Sequence, residues 1–262
     1  MDFGRVFLKE NKLFKQAKKP LFMLKFCLVV DTERFISFKQ GNPRWNSFER
    51  LKGRINNLIK NFRYNEMGFG IFYNTVLEQK FPVTFMLVGS LFKQIKSPNF
   101  VEWGYHTYNH IPLTLVHDDI VKRQIKNIYK AESFSPPLWM VKDSKNPERI
   151  FNFLEKEKYK NIIYKGVDYG LKHKHHFSIQ KPEKIGKLRL VHVSNTFEGN
   201  SSKKHIINLI REIKNNIEKD AVYCLCTHDF THKNNRNLLK LISFLKLLEK
   251  NKKIKIINVK NA

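Results

Sequence analysis

Apolar stretches of strand length alternate with stretches of helical period along most of this chain, and that alternation most constrains its fold. Strand-length runs fall at 21–30, 83–88, 101–105, 161–164, 188–193, 221–227 and 254–259. Helical-period runs fall at 47–62, 71–80, 115–132, 147–158, 201–219 and 237–250, with Ser47, Asp118 and Ser201 to Ser202 near their starts as capping signals. Strands that alternate with helices predict a mostly parallel sheet covered by helices. With about seven strands, the segment pattern allows a closed β/α barrel as readily as an open sheet. No internal repeat or low-complexity linker interrupts residues 21–262, which read as one domain, with residues 1–20 as a basic amphipathic lead-in. A chain of 262 residues is long enough to bury a sizeable core.

In such folds the chemistry sits where strands end, at the carboxyl edge of the sheet. Three of the expected strands deliver polar residues there. The first is followed by D-T-E, Asp31 to Glu33; the third by His106; the sixth by His228 and Asp229. Two histidine pairs have a spacing of four, His106/His110 and His228/His232, and among ten histidines chance supplies such spacings readily. If a helical turn begins at His106, the first pair shares one face and can hold a metal ion. Two imidazoles need a third ligand, commonly a carboxylate, and D-T-E supplies candidates. In extended backbone Asp31 and Glu33 point to the same side, so one can bind metal while the other acts as base. Taken alone, D-T-E reads equally as a solvated strand end, and the histidine pair as surface or hydrogen-bonded side chains.

The stretches P-V-T-F-M-L-V-G and E-W-G-Y-H-T-Y-N-H, with D-T-E upstream and L-C-T-H downstream, closely resemble motifs of the polysaccharide deacetylase (NodB-like) family, carbohydrate esterase family four. The match runs over most of the chain. The resemblance implies a distorted (β/α) barrel of about seven strands and metal-dependent hydrolysis of an N-acetyl, or related N-acyl, group on an amino sugar. It assigns Asp31 as the base, Glu33, His106 and His110 as ligands of a divalent metal, most simply Zn2+, and Leu225 and His228 as the last motif, with His228 as general acid. Amide hydrolysis needs these parts: an activated water, stabilisation of the oxyanion and a proton for the departing amine. Backbone N–H groups between Ser135 and Trp139 are candidates for the oxyanion.

The sequence departs from the family pattern in two motifs. The third normally carries an arginine that orients the base; this chain has S-P-P-L-W, with Ser135 at that position and Trp139 nearby as a sugar-stacking candidate. Arg34 and Arg44 are candidate replacements for the arginine. The acidic fourth motif is echoed only by G-V-D-Y-G, where Asp168 is the candidate and a loop turn the plain alternative. Loss of the arginine keeps open a second reading, a catalytically impaired glycan-binding protein.

The formal charge of +26 favours anionic partners. Part of it follows from an abundance of lysine, asparagine, isoleucine and phenylalanine, the residues of adenine- and thymine-rich codons. A basic surface suits a lipid- or nucleotide-linked glycan precursor and peripheral contact with an anionic membrane. No basic-aromatic reader motif points to nucleic acid. Three cysteines are too few for a disulfide framework, no secretory leader is evident, and the longest apolar run is too short to span a bilayer, so a cytoplasmic location is expected. Cys224 and Cys226, on one strand face, are expected to pack in the core. His173 to His176 are expected in a solvated basic loop, His117 at a helix start, and His232 as a bystander.

Overall fold

The computed structural model describes residues 22–32, 67–91, 97–143, 146, 148–169, 172–175 and 177–262. Its strands in chain order are β1 (Leu24–Thr32), β2 (Val83–Leu87), β3 (Val101–Tyr105), β4 (Ser133–Phe134), β5 (Met140–Asp143), β6 (Asn161–Tyr164), β7 (Gly166–Tyr169), β8 (Lys172–His175), β9 (Glu183–Ile185), β10 (Leu188–Thr196), β11 (Val222–His228) and β12 (Ile254–Ile257). The described helices are α1 (Met67–Gln79), α2 (Asp118–Ile125), α3 (Arg149–Lys156), α4 (Lys203–Asn215) and α5 (Arg236–Lys250). Residues 1–20 and the expected helix over 47–62 lie outside the described residues.

The main sheet runs β11-β1-β2-β3-β4-β6-β10, and β10 pairs back to β11. Every pairing around that circuit is parallel, so seven strands close a parallel barrel. The barrel left open by the segment pattern, and implied by the resemblance, is therefore the fold. β9 extends β10 antiparallel, while β5, β7 and β8 form a separate small sheet.

Strand alternation sorts side chains into an inner and an outer layer. Cys27, Val29, Met86, Ile163, Val191, Val193, Cys224 and Cys226 fill the barrel interior. Alternate residues of the same strands, such as Phe26, Leu28, Val30, Phe85, Tyr223 and Leu225, pack outward against α1, α4 and α5. A second outer layer, including Tyr105, Phe134, Ile162 and Leu190, packs beneath α2 and α3. The interior has no room at Gly104 of β3, where a Cβ would stand 2.3 Å from Met86 Sδ and 3.0 Å from the Ser133 carbonyl oxygen.

The barrel floor is polar and centred on Glu102. Glu102, 5% exposed, accepts hydrogen bonds from Thr84 Oγ1 (2.8 Å), Ser133 Oγ (2.5 Å) and the Lys260 N–H (3.0 Å). β12 wedges into the wall there. It pairs with the lower half of β1, Leu24 to Cys27, whereas β2 pairs with the upper half, Val29 to Thr32. Just beyond β12, the Asn258 amide donates to the Val83 and Phe100 carbonyls.

Two helical expectations change. The helix expected over 115–132 is only α2, because Asn127 ends it by bonding the Ala131 N–H (2.9 Å) and carbonyl (2.8 Å) with its side chain. His117, not Asp118, is the N-cap of α2, and it makes no side-chain cap bond. Ser202 does cap α4, accepting from the His205 N–H. No described helix is long and apolar enough to cross a membrane.

Candidate active site

Asp31 ends the inward-facing series Cys27, Val29, Asp31 of β1, and His228 ends the series Cys224, Cys226, His228 of β11. The two residues are register partners across parallel strands, so both emerge at the carboxyl mouth of the barrel. Asp31 is 1% exposed, and its Oδ2 accepts a 2.7 Å hydrogen bond from Trp139 Nε1. Its Oδ1 accepts no hydrogen bond among the described residues and stands 3.9 Å from His106 Nδ1. A buried carboxylate oxygen left without a donor is the property expected of a base, or of an atom that meets a cation or a water.

His106 follows β3 at the same mouth. Its Nδ1 lies 2.6 Å from the Ser135 carbonyl oxygen. A carbonyl can only accept, so Nδ1 carries the proton and Nε2 the lone pair, the tautomer of a metal-ligating histidine held by a backbone acceptor. The expected helical turn from His106 to His110 is absent. The segment is an irregular loop in which Thr107 (φ 58°) and His110 (φ 53°) take left-handed conformations. The loop is pinned on one side by the Gly89 N–H to the Thr107 carbonyl (2.8 Å) and on the other by Gln124 of α2. Gln124 takes the Tyr108 N–H on its backbone carbonyl (2.9 Å) and the Asn109 N–H on its side chain (2.8 Å). This reversal brings the two imidazoles together with ring centroids 4.8 Å apart, a proximity that a helix was expected to supply.

His228 is held from behind. Its Nδ1 donates to Glu198 Oε1 (2.9 Å), while Thr231 Oγ1 donates to Glu198 Oε2 (2.8 Å). The pair is about one quarter exposed, which leaves the histidine reachable from solvent. Glu198 escaped the sequence reading because the strand expected to stop at 193 runs on to Thr196 as β10. Applied to the true strand end, the carboxyl-edge rule would have found it.

Trp139 does not fit a sugar-stacking surface. It is 7% exposed, its N–H is committed to Asp31, and Lys165 Nζ covers its ring at 4.8 Å. Leu225 is fully buried on the outward face of β11 among core residues rather than at the barrel mouth. Asp168 lies in β7 of the small sheet, opposite Asp143 and His173, rather than in a loop turn or at a barrel strand end. Glu33, Arg34 and Arg44 lie outside the described residues. The stretch from Ser135 to Trp139 contains two prolines, and two of its three amides are used internally, Ser135 to Tyr105 (2.9 Å) and Trp139 to Pro136 (2.8 Å). Among the described residues, the Leu138 N–H is the amide of this stretch with no backbone acceptor outside its own short helix.

Two other groups resolve as core. Cys27, Cys224 and Cys226 are all fully buried in the barrel. Thiol hydrogen bonding and then burial raise the first two above the usual cysteine range, and burial raises the third, so all are held as thiols. His232 is 2% exposed beside Phe72 and Phe197, with Nε2 against Thr227 Oγ1 at 2.9 Å.

Among the described residues no three His, Cys, Asp or Glu side chains close into a metal site. The donor types nonetheless fit one. Two adjacent imidazoles, one with its Nδ1–H on a carbonyl, face the same mouth as the donor-less Asp31 Oδ1.

This is a seven-stranded parallel α/β barrel with its polar constellation at the carboxyl end. More particularly, its fold is one shared by solved structures of a polysaccharide deacetylase and an allantoinase. The chain superposes on a provisionally assigned polysaccharide deacetylase from Mycobacterium smegmatis with a TM-score of 0.60 at 14% identity, covering 94% of this chain and 92% of that one. It also superposes on Puue allantoinase with a TM-score of 0.54 at 10% identity, covering 95% and 91%. No family model matches the sequence, and no curated protein does.

Proposed function

We propose that the protein is a metal-dependent hydrolase that removes an N-acetyl, or related N-acyl, group from an amino sugar of a glycan or glycan precursor. The observation that carries this reading is the meeting, at one barrel mouth, of a buried carboxylate with one oxygen that has no donor among the described residues, a pair of imidazoles and a histidine backed by a carboxylate. His106 and His110 would hold the metal, with Glu33 as the further ligand that the motif resemblance implies. A bound divalent cation, with zinc the expected ion, supplies polarisation of the amide carbonyl and acidification of water. Asp31 Oδ1 accepts the proton of the attacking water as its oxygen bonds the acyl carbon. His228, oriented through Nδ1 by Glu198, donates from Nε2 to the amide nitrogen as the C–N bond breaks. Carboxylate and free amine leave.

The reading as a catalytically impaired binding protein rested on the missing arginine. The Trp139 hydrogen bond to Asp31 supports turnover instead, since a donor to the base is present. The charge of +26 favours substrates carrying phosphate, such as lipid- or nucleotide-linked sugars, over neutral polymer. The test is metal content of the purified protein together with acetate release from N-acetylglucosamine oligomers and from a nucleotide-linked N-acetylamino sugar. Metal-dependent release that disappears in Asp31→Asn is expected. Full metal occupancy in His106→Ala and His110→Ala, or hydrolysis unaffected by Asp31→Asn, would refute the assignment.

A further inference from the structure

Trp139 makes contacts that no packing role requires. Its indole N–H reaches Asp31 Oδ2 at 2.7 Å inside the barrel mouth, and its ring centroid lies 5.9 Å from that of His228. It thus touches the base and faces the acid at once. Its backbone is held at φ 53°, directly after Leu138 at φ 62°. Two consecutive non-glycine residues in the left-handed region are costly, and such conformations persist where surrounding structure imposes them. Here the Trp139 N–H to the Pro136 carbonyl and the Lys165 N–H to the Trp139 carbonyl, both 2.8 Å, lock the turn that aims the indole inward.

The indole ring also meets a cation. Lys165 immediately follows β6, and its Nζ lies 4.8 Å from the Trp139 ring and 4.4 Å from that of Phe177, which is 51% exposed at the surface. Burial lowers the Lys165 ammonium from its usual value, in keeping with a charge withdrawn from water between two rings. An ammonium over an indole withdraws electron density from it and makes its N–H a better donor.

We infer that Trp139 is the positioning residue for the Asp31 carboxylate, and that Lys165 acts on Asp31 through the indole, so a neutral donor in contact and a cation over its ring orient the base. The inference rests on the proposed hydrolase reading only for its catalytic consequence; the contact itself is testable without turnover. It also predicts a division of labour within the carboxylate. Oδ2 is fixed by the indole, which leaves Oδ1, on the side of His106, for the attacking water.

The chain has three tryptophans, Trp45, Trp103 and Trp139, so the 15N-labelled full-length protein has three indole N–H signals in a proton–nitrogen correlation spectrum. Trp103 Nε1 has no acceptor among the described residues and serves as the internal control. Trp139→Phe assigns the Trp139 signal by its loss. That signal is expected downfield, and Asp31→Asn and Lys165→Met should each move it upfield while leaving the Trp103 signal in place. In the deacetylation assay Trp139→Phe should lower kcat roughly 10- to 100-fold, the loss of one hydrogen bond to a charged group, with KM little changed. The acidic limb of its pH–rate profile should move to higher pH, and Lys165→Met should shift that limb the same way by less. A Trp139 signal that ignores Asp31→Asn overturns the contact. A moved signal with unchanged kcat and pH profile in Trp139→Phe overturns the positioning role. If no amide substrate is turned over, the spectrum still decides the contact, so failure of the hydrolase reading is seen separately.

Discussion

His232 is a histidine that the fold must keep neutral. It is 2% exposed among aromatic rings, and burial lowers it from 6.5 to about 4, with Glu198 opposing that shift and His228 adding to it. A base whose folded value is depressed stabilises the fold fully above the unfolded value. The contribution is lost as pH falls from 6.5 through about 4, because the unfolded chain takes up the proton first. The loss from this one group is about 1.4 kcal/mol at pH 5.5 and about 2.6 kcal/mol at pH 4.5, approaching about 3.4 kcal/mol below both values. Against a typical total of about 5–15 kcal/mol, that is a large share. His232→Gln keeps a hydrogen-bonding partner for Thr227 Oγ1 and removes the titration. Urea unfolding of both proteins at pH 7.5, 5.5 and 4.5 measures the difference. The substitution should cost stability at pH 7.5, yet the parent's midpoint should fall further between pH 7.5 and 4.5, by roughly 1 M in urea. Parallel declines would show that His232 is charged in the fold, or that its surroundings admit water, and would refute the reasoning.

Glu198→Gln should reduce turnover about 10- to 100-fold and move the basic limb of the pH–rate profile to lower pH, with metal content unchanged; an unmoved limb would separate Glu198 from His228. Gly199→Ala should destabilise by about 1–3 kcal/mol in the same unfolding assay, since its Cβ would stand 2.2 Å from the Thr231 carbonyl oxygen and 2.6 Å from His232 Cα, both backbone. Glu102→Gln should lower stability by about 1–3 kcal/mol, because three donors would face an amide where a carboxylate now accepts, while metal content stays as in the parent.

Strand positions were legible because inward and outward faces are both apolar over much of a closed barrel, so β1, β2 and β11 carry continuous hydrophobic runs, Phe26 to Val30, Phe85 to Leu87 and Val222 to Cys226. β4 was not, since two residues before Pro136 carry no period. Asp31, His106 and His228 were legible as polar residues at the ends of such runs, and the barrel brings them to one mouth. What the sequence concealed was how neighbours cooperate. Ser135 contributes through its carbonyl, which any residue possesses, so its side-chain identity says nothing of its contact with His106. Trp139 reads as an exposed aromatic in a proline-rich turn, and only the left-handed backbone at Leu138 and Trp139 turns the indole toward Asp31. The proximity of His106 and His110 was expected for the wrong reason. A loop with two positive φ angles, tied to Gln124, achieves what helical spacing was invoked to explain.

The wedge of β12 between β1 and β2 bears on how the chain reaches its native state. β1 finds its lower neighbour in residues 254–257 and its upper neighbour in residues 84–87. The first strand therefore cannot be fully hydrogen-bonded until a segment more than two hundred residues downstream has left the ribosome. Glu102 likewise waits for the Lys260 N–H. During synthesis the early strands would carry an unpaired, apolar edge, and closure by so distant a partner is slow. On this view the barrel commits to its fold only once residues 254–257 are available, and the chain before that point is the form most exposed to aggregation.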